Sequence, residues 1–234
     1  MAPDWVRSAK RLCVLTGAGI SAESGIPTFR GPGGLWREYR AEDLATPEAF
    51  ARDPKLVWEW YDWRRGLVAQ AEPNAGHHAL AQLESVVPEF TLITQNVDGL
   101  HRRAGNRKML ELHGNLWRTR CTGCGKEVDD TRVPLPEIPP TCECGALLRP
   151  AIVWFGEPLP PDVWHNAEEA ARTADVLLVV GTSAVVYPAA SLAPLAKASG
   201  ARVIEINTGA TPLSDLVDCS LRGAAGEVLP RLLQ

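Results

Sequence analysis

Two sets of residues in this chain of 234 could do chemistry. Cys121-Thr122-Gly123-Cys124 and Cys142-Glu143-Cys144 gather four of the six cysteines, and 17 residues, four of them proline, separate the pairs. A segment so poor in apolar residues needs a cross-link, and four thiolates around Zn²⁺ supply one in tetrahedral geometry. Gly123 and Gly125 let the first turn fold back to a metal, while the second pair, with one residue between its thiols, is the tighter. With Cys121, Cys124, Cys142 and Cys144 filling every position there is no place for water, so such a zinc would staple and not catalyse. Buried free thiols or a redox pair are the other readings of this spacing.

The second set is polar and scattered. Thr94-Gln95-Asn96-Val97-Asp98-Gly99-Leu100-His101 follows the apolar run 90–93, Gly181-Thr182-Ser183 follows 176–180, and Asn207-Thr208 follows 203–206. Amides, hydroxyls and a carboxylate at strand ends fall where open α/β sheets bind ligands. Each group alone also serves as a capped turn. Together they suggest one long polar ligand lying across the sheet edge. His113, before Gly114, can titrate near neutral pH and act as a base, or act as a structural hydrogen-bonding residue.

These residues need elements to carry them. Short, continuous apolar runs recur at 12–15, 90–93, 152–155, 176–180 and 203–206, separated by helical stretches such as 74–86, 163–173 and 188–199. Continuous runs are what a parallel sheet covered on both faces requires. The first run leads into Gly17-Ala18-Gly19-Ile20-Ser21-Ala22, where glycines bring backbone N–H groups near a pyrophosphate or make an ordinary tight turn. Ala22 stands where a third fingerprint glycine is expected, and Pro27-Thr28-Phe29-Arg30 ends the first helix early. Two segments interrupt the pattern: 29–70, with expected helices over 46–50 and 54–69, and 114–150.

The expected class is therefore α/β, a Rossmann-type parallel sheet domain with a small zinc-binding domain and a helical insertion. Residues 1–28, 74–113 and 151–234 form the sheet domain that would bind a dinucleotide in this reading, and 29–73 and 114–150 the small domain with its helical and zinc-ribbon modules. The net charge is -4 and no basic block occurs, which argues against nucleic-acid and membrane-surface binding. The start of the chain lacks an apolar secretory segment, and no run of 18 apolar residues occurs. A cytoplasmic protein is the expectation.

Taken in order, Gly17-Ala18-Gly19-Ile20-Ser21, Gly25-Ile26-Pro27-Thr28-Phe29-Arg30, Gln95-Asn96-Val97-Asp98, His113-Gly114, the cysteine pairs and Gly181-Thr182-Ser183 resemble the sirtuin family of NAD-dependent protein lysine deacylases. The resemblance implies NAD as a consumed co-substrate, one structural zinc ion, and acyl-lysine proteins or peptides entering a cleft opposite NAD. It implies that Gly17, Ala18, Gly19, Ala22, Phe29 and Arg30 contact or cover NAD. Gln95, Asn96 and Asp98 would hold the nicotinamide and its ribose, and Gly181, Thr182, Ser183, Asn207, Thr208 and Ala225 the adenosine side. His113 and Asn96 would be catalytic, and Val153, Trp154, Phe155, Gly156 and Glu157 would pair with the substrate backbone. A monomer is implied.

Tyr61 and Arg64, three residues apart, share a helical face and suit a carboxylate, although a packed tyrosine and a surface salt bridge would use the same spacing. Tyr61-x-x-Arg64 resembles the mark of the desuccinylase, or sirtuin-5-like, branch, which removes succinyl, malonyl and glutaryl groups. Gly33-Gly34-Leu35-Trp36 and 41–45 resemble the same branch, with Ala41 as the small residue that leaves room for the acyl chain. Mono-ADP-ribosyl transfer and a non-enzymatic NAD-sensing module are the competing readings of the same NAD site.

Overall fold

The computed structural model describes residues 2–30, 34–35 and 39–233; Gly33 and Trp36 of the motif above lie outside them. Six strands form one parallel sheet: β1 (Arg11–Thr16), β2 (Glu89–Thr94), β3 (Met109–Glu111), β7 (Val176–Val180), β8 (Arg202–Asn207) and β9 (Cys219–Arg222). Their order, β3-β2-β1-β7-β8-β9, is that of a Rossmann sheet, with the chain reversing direction across the sheet between β1 and β7. Val14, Leu92, Leu178 and Ile204 are fully buried near the middle of the four central strands, as a sheet covered on both faces demands.

The two faces have separate cores. Helices α1 (Ala2–Ser8), α5 (Ala75–Val86) and α9 (Ala225–Val228) cover one with Val6, Leu80 and Leu83. Helices α7 (Pro161–Thr173) and α8 (Leu192–Ala198) cover the other with Ala167, Ala171, Leu192 and Ala196. A third core joins α2 (Ala41–Leu44), α3 (Pro47–Arg52) and α4 (Pro54–Gln70) to an antiparallel sheet of β4 (Gly114–Cys121), β5 (Glu127–Asp129) and β6 (Leu148–Ile152). Short α6 (Leu100–Ala104) follows β2. Asp53 caps α4 by accepting from Leu56 N, and Pro54 occupies its first position, so the helix begins where its sequence directs.

The run 152–155 departs from expectation. It does not enter the parallel sheet: Leu148–Ile152 pairs antiparallel with β4, and 153–155 carries no regular structure. The apolar character there has another use, because Trp154 turns inward to the α3–α4 core and is 3% exposed. Strands β3 and β9 were not evident as apolar runs. Their residues are only partly buried or exposed, since both strands lie at sheet edges. Among the described residues no helix is long and apolar enough to cross a membrane.

Candidate active site

The carboxyl ends of β1, β2, β7 and β8 open onto a cavity of about 970 Å³, at the place where an open α/β sheet binds ligands. Gly17, Ala18, Gly19, Ala22, Phe29 and Arg30 line it, with Gln95, Asn96, His113, Gly181, Thr182, Ser183, Asn207, Thr208 and Ala225. The scattered strand ends of the sequence thus meet in one space.

The glycines have a use besides ligand approach. A Cβ on Gly19 would come within 2.7 Å of Gly181, and one on Gly17 within 2.8 Å of Thr182. Gly17 N donates to Val180 O at 3.0 Å and Gly19 N to Gly181 O at 2.7 Å. These glycines therefore let the turn after β1 press against the turn after β7. A 3₁₀ helix, Ala18–Ser24, follows and ends at Gly25 with φ 83°, a left-handed conformation suited to glycine.

Neutral side chains bond to one another across the strand ends. Gln95 Nε2 donates to Thr182 Oγ1 at 3.1 Å, and Asn207 Nδ2 to Thr182 O at 2.8 Å. Asn96 Nδ2 donates to Ser21 Oγ at 3.2 Å, and Ser21 Oγ donates to Asp98 Oδ2 at 2.8 Å. Asp98 itself does not line the cavity; it stands one layer behind, also accepting from Leu100 N. Burial raises its pKa, against the Leu100 amide and the Ser21 hydroxyl.

His113 sits between β3 and β4, where the chain leaves one sheet for the other, and its carbonyl accepts from Val153 N at 3.0 Å. Its Nδ1 lies 3.0 Å from the Gln95 carbonyl. A carbonyl only accepts, so Nδ1 carries the proton and Nε2 is the basic nitrogen. Burial lowers the His113 pKa, with the Gln95 carbonyl opposing it, so the ring is neutral and ready to take a proton near neutral pH.

The far end of the cavity belongs to α4. Tyr61 and Arg64 both line it, at 2% and 6% exposure. Trp154 Nε1 donates to the Tyr61 oxygen at 2.9 Å, which leaves the phenol hydrogen to donate elsewhere. Burial raises the Tyr61 pKa and keeps it a neutral donor. The Arg64 guanidinium lies over the rings of Phe29, Trp60 and Tyr61, at 4.7, 4.9 and 5.9 Å from their centroids. No carboxylate among the described residues lies within ion-pair distance of it. Burial lowers its pKa, yet a guanidinium remains charged at any working pH. A buried cation without an anion is costly, and an anionic ligand would complete it.

One more expected residue and one expected segment differ from the reading of the sequence. Ala41, at the start of α2, does not line the cavity; Ala45, just past the end of that helix, does. Its carbonyl accepts from Phe155 N at 2.9 Å, which fixes it at the wall. Residues 153–157 all line the cavity, but Val153, Trp154, Phe155 and Glu157 already use their N–H groups within the chain. Glu157 is also bound to Arg149 at 2.6 Å, so its carboxylate is committed to holding this segment.

The four thiols form a separate cluster. Their sulfurs lie within 4.8 Å of one another, Cys121 to Cys144 at 3.4 Å and Cys124 to Cys142 at 3.9 Å. Four sulfurs about 2.3 Å from one zinc stand about 3.8 Å apart, so the cluster fits that ion. Gly123 N and Cys124 N both donate to Cys121 Sγ at 3.4 Å, which favours the thiolate a metal needs.

Residues 17–188 match the Sir2 family model. An NAD-dependent protein deacylase 2 of Pyrobaculum aerophilum is 57% identical over 99% of this chain and 93% of its own length. An NAD-dependent protein deacylase of Aquifex aeolicus is 58% identical over 94% of this chain and 93% of its own. A solved Sir2 homologue mutant bound to ADP-ribose superposes with a TM-score of 0.96 at 52% identity, covering 99% of this chain and 93% of that one. A Sir2 homologue in complex with NAD gives 0.93 at 52% identity, covering 99% and 91%. A cavity at the reversal of a Rossmann sheet, a four-cysteine cluster and relatives of this likeness agree: the chain belongs to the Sir2 family.

Proposed function

We propose that this chain is an NAD-dependent protein lysine deacylase that removes succinyl, malonyl and glutaryl groups, and acetyl groups as well. The products are nicotinamide, 2′-O-acyl-ADP-ribose and free lysine. The observation that carries the acyl preference is Arg64, a buried guanidinium on the cavity wall, held by three aromatic rings and paired with no carboxylate among the described residues. A distal acyl carboxylate accepting from Arg64 and Tyr61 would give that charge its partner. Ala45, a small residue on the cavity wall, leaves room for the longer chain.

NAD in this reading lies across the strand ends, with its pyrophosphate at the turn after β1, its nicotinamide ribose toward Gln95, Asn96 and His113, and its adenosine toward β7 and β8. Asp98 acts through Ser21 on the Asn96 amide. The acyl oxygen, held in line, attacks the ribose carbon as nicotinamide leaves. The His113 Nε2 takes a proton through the ribose hydroxyls, the 2′-oxygen attacks the alkylimidate carbon, and one water then adds to that carbon as the lysine amine leaves, giving the 2′-O-acyl product. Residues 153–157 line the wall that receives the peptide beside this point, with carbonyls and the Gly156 N–H left for main-chain contacts, which give loose sequence selectivity. The cysteine cluster holds zinc as a staple and takes no part in the chemistry.

Mass spectrometry of the products from NAD with matched succinyl-, malonyl- and acetyl-lysine peptides tests this. The expected result is O-acyl-ADP-ribose from every peptide and faster turnover of the acidic ones. ADP-ribose attached to protein without deacylation, or nicotinamide never released, would contradict it.

A further inference from the structure

Strand β8 carries a carboxylate where a covered parallel strand ordinarily carries an apolar side chain. Glu205 lies between Ile204 and Ile206 and is 1% exposed. A carboxylate buried this way is costly unless donors surround it. Here its Oε2 accepts from Ser214 Oγ at 2.7 Å, Ser220 Oγ at 2.8 Å and Arg222 Nη1 at 3.2 Å, and its Oε1 accepts from the Thr211 hydroxyl. Burial opposes ionisation of Glu205, but the hydroxyls and Arg222 outweigh it and hold the carboxyl below its usual range. Arg222 extends the cluster to Gly209 O and, at 2.9 Å, to Ser214 Oγ; Thr211 N donates to that same Oγ at 2.8 Å.

These bonds converge on one segment. Residues 208–218 contain neither helix nor strand, and 208–212 form the cavity wall beyond β8. Backbone of this kind has no ladder to hold it, and ordering it on ligand binding would cost entropy. Glu205 does not itself line the cavity. Its four donors come from the segment and from β9, so one side chain ties the adenosine-side wall to the edge of the sheet.

We propose that Glu205 is a positioning residue for the adenosine half of NAD, holding the 208–212 wall in its binding shape before the dinucleotide arrives. The inference rests on the placement of adenosine toward β7 and β8 given above. It divides the effects of mutation: a loosened wall lowers affinity for the dinucleotide and leaves the chemistry at His113 and the acyl site alone.

Glu205→Gln keeps the shape but sets an amide donor against hydroxyl and guanidinium donors. Calorimetric titration with ADP-ribose well below Tm, with steady-state kinetics beside it, reads the outcome. ADP-ribose Kd and the KM for NAD are expected to rise about tenfold. The kcat at saturating NAD and the KM for acyl-peptide are expected to stay within about twofold. Ser220→Ala removes one donor away from the cavity, is expected to shift Kd the same way by a smaller factor, and decides the matter if Glu205→Gln does not fold. Unchanged ADP-ribose affinity in the folded variant, even with a lowered Tm, would make Glu205 a stabilising residue only and overturn the inference. Asn207→Ala, titrated in parallel, separates the premises. If it leaves ADP-ribose affinity unchanged, the placement of adenosine falls and this inference with it; if it weakens binding while Glu205→Gln does not, the inference alone falls.

Discussion

The two ends of the cavity are built on opposite electrostatic terms. Along the strand ends, Gln95, Asn96, Thr182 and Asn207 are neutral and bonded to neighbours, and the His113 ring is held neutral by burial and oriented by a carbonyl. On α4, Arg64 is charged, buried and stacked on rings, which fix its place without cancelling its charge. The sheet end can receive NAD, whereas the α4 end holds a charge with no carboxylate partner among the described residues. If the proposed function holds, general chemistry and acyl selectivity reside in different elements, a parallel sheet and helix α4, and should separate by mutation.

The largest expected effect comes from the shared end. His113→Ala should lower kcat on succinyl- and acetyl-peptides alike, by about 10²–10⁴-fold, with ADP-ribose binding retained. A loss confined to one acyl class would break the comparison. Tyr61→Phe removes one neutral donor at the α4 end and should lower kcat/KM for a succinyl-peptide about tenfold, with the acetyl-peptide changed by less than about twofold. Equal losses on both would place Tyr61 in packing alone. The smallest effect is a shared pH profile. Because burial lowers the His113 pKa, its basic form persists below the ordinary histidine range, and kcat/KM should hold through that range and fall only at more acid pH. The same acid limb is expected for both acyl classes, since a guanidinium does not titrate there. A limb seen with succinyl-peptide only would move the titration from His113 to the acyl end.

Much of this was legible in the residues. The glycine turn, the cysteine pairs and the polar strand ends are local signals, and each lies within a few residues of the run that positions it. Helical spacing puts Tyr61 and Arg64 on one face but fits a packed tyrosine and a surface salt bridge equally well, and only the family resemblance pointed to a carboxylate. What escaped depends on contacts between distant elements. Ala41 and Ala45 are one helical turn apart and equally small, and only the bond from Phe155 N to Ala45 O reveals which faces the cavity. Asp98 reads like Asn96 in sequence, yet Ser21 intervenes between it and the cavity side. Trp154 lies in a run that reads as strand, and its burial follows from the α4 helix it meets. Glu205 carried a signal in its sequence, a lone carboxylate inside a buried strand, but its donors at Thr211, Ser214, Ser220 and Arg222 become visible only in three dimensions.

The claim that Arg64 reads an acyl carboxylate is tested most directly by steady-state kinetics of the parent and Arg64→Met on succinyl- and acetyl-peptides of one sequence. Loss of a buried charge pair of about 2–4 kcal/mol corresponds to a fall of about 30- to 1,000-fold in kcat/KM for the succinyl-peptide. The acetyl-peptide is expected to change by less than about threefold, so the ratio between the two substrates collapses. An equal fall on both peptides, with the ratio intact, would contradict the account.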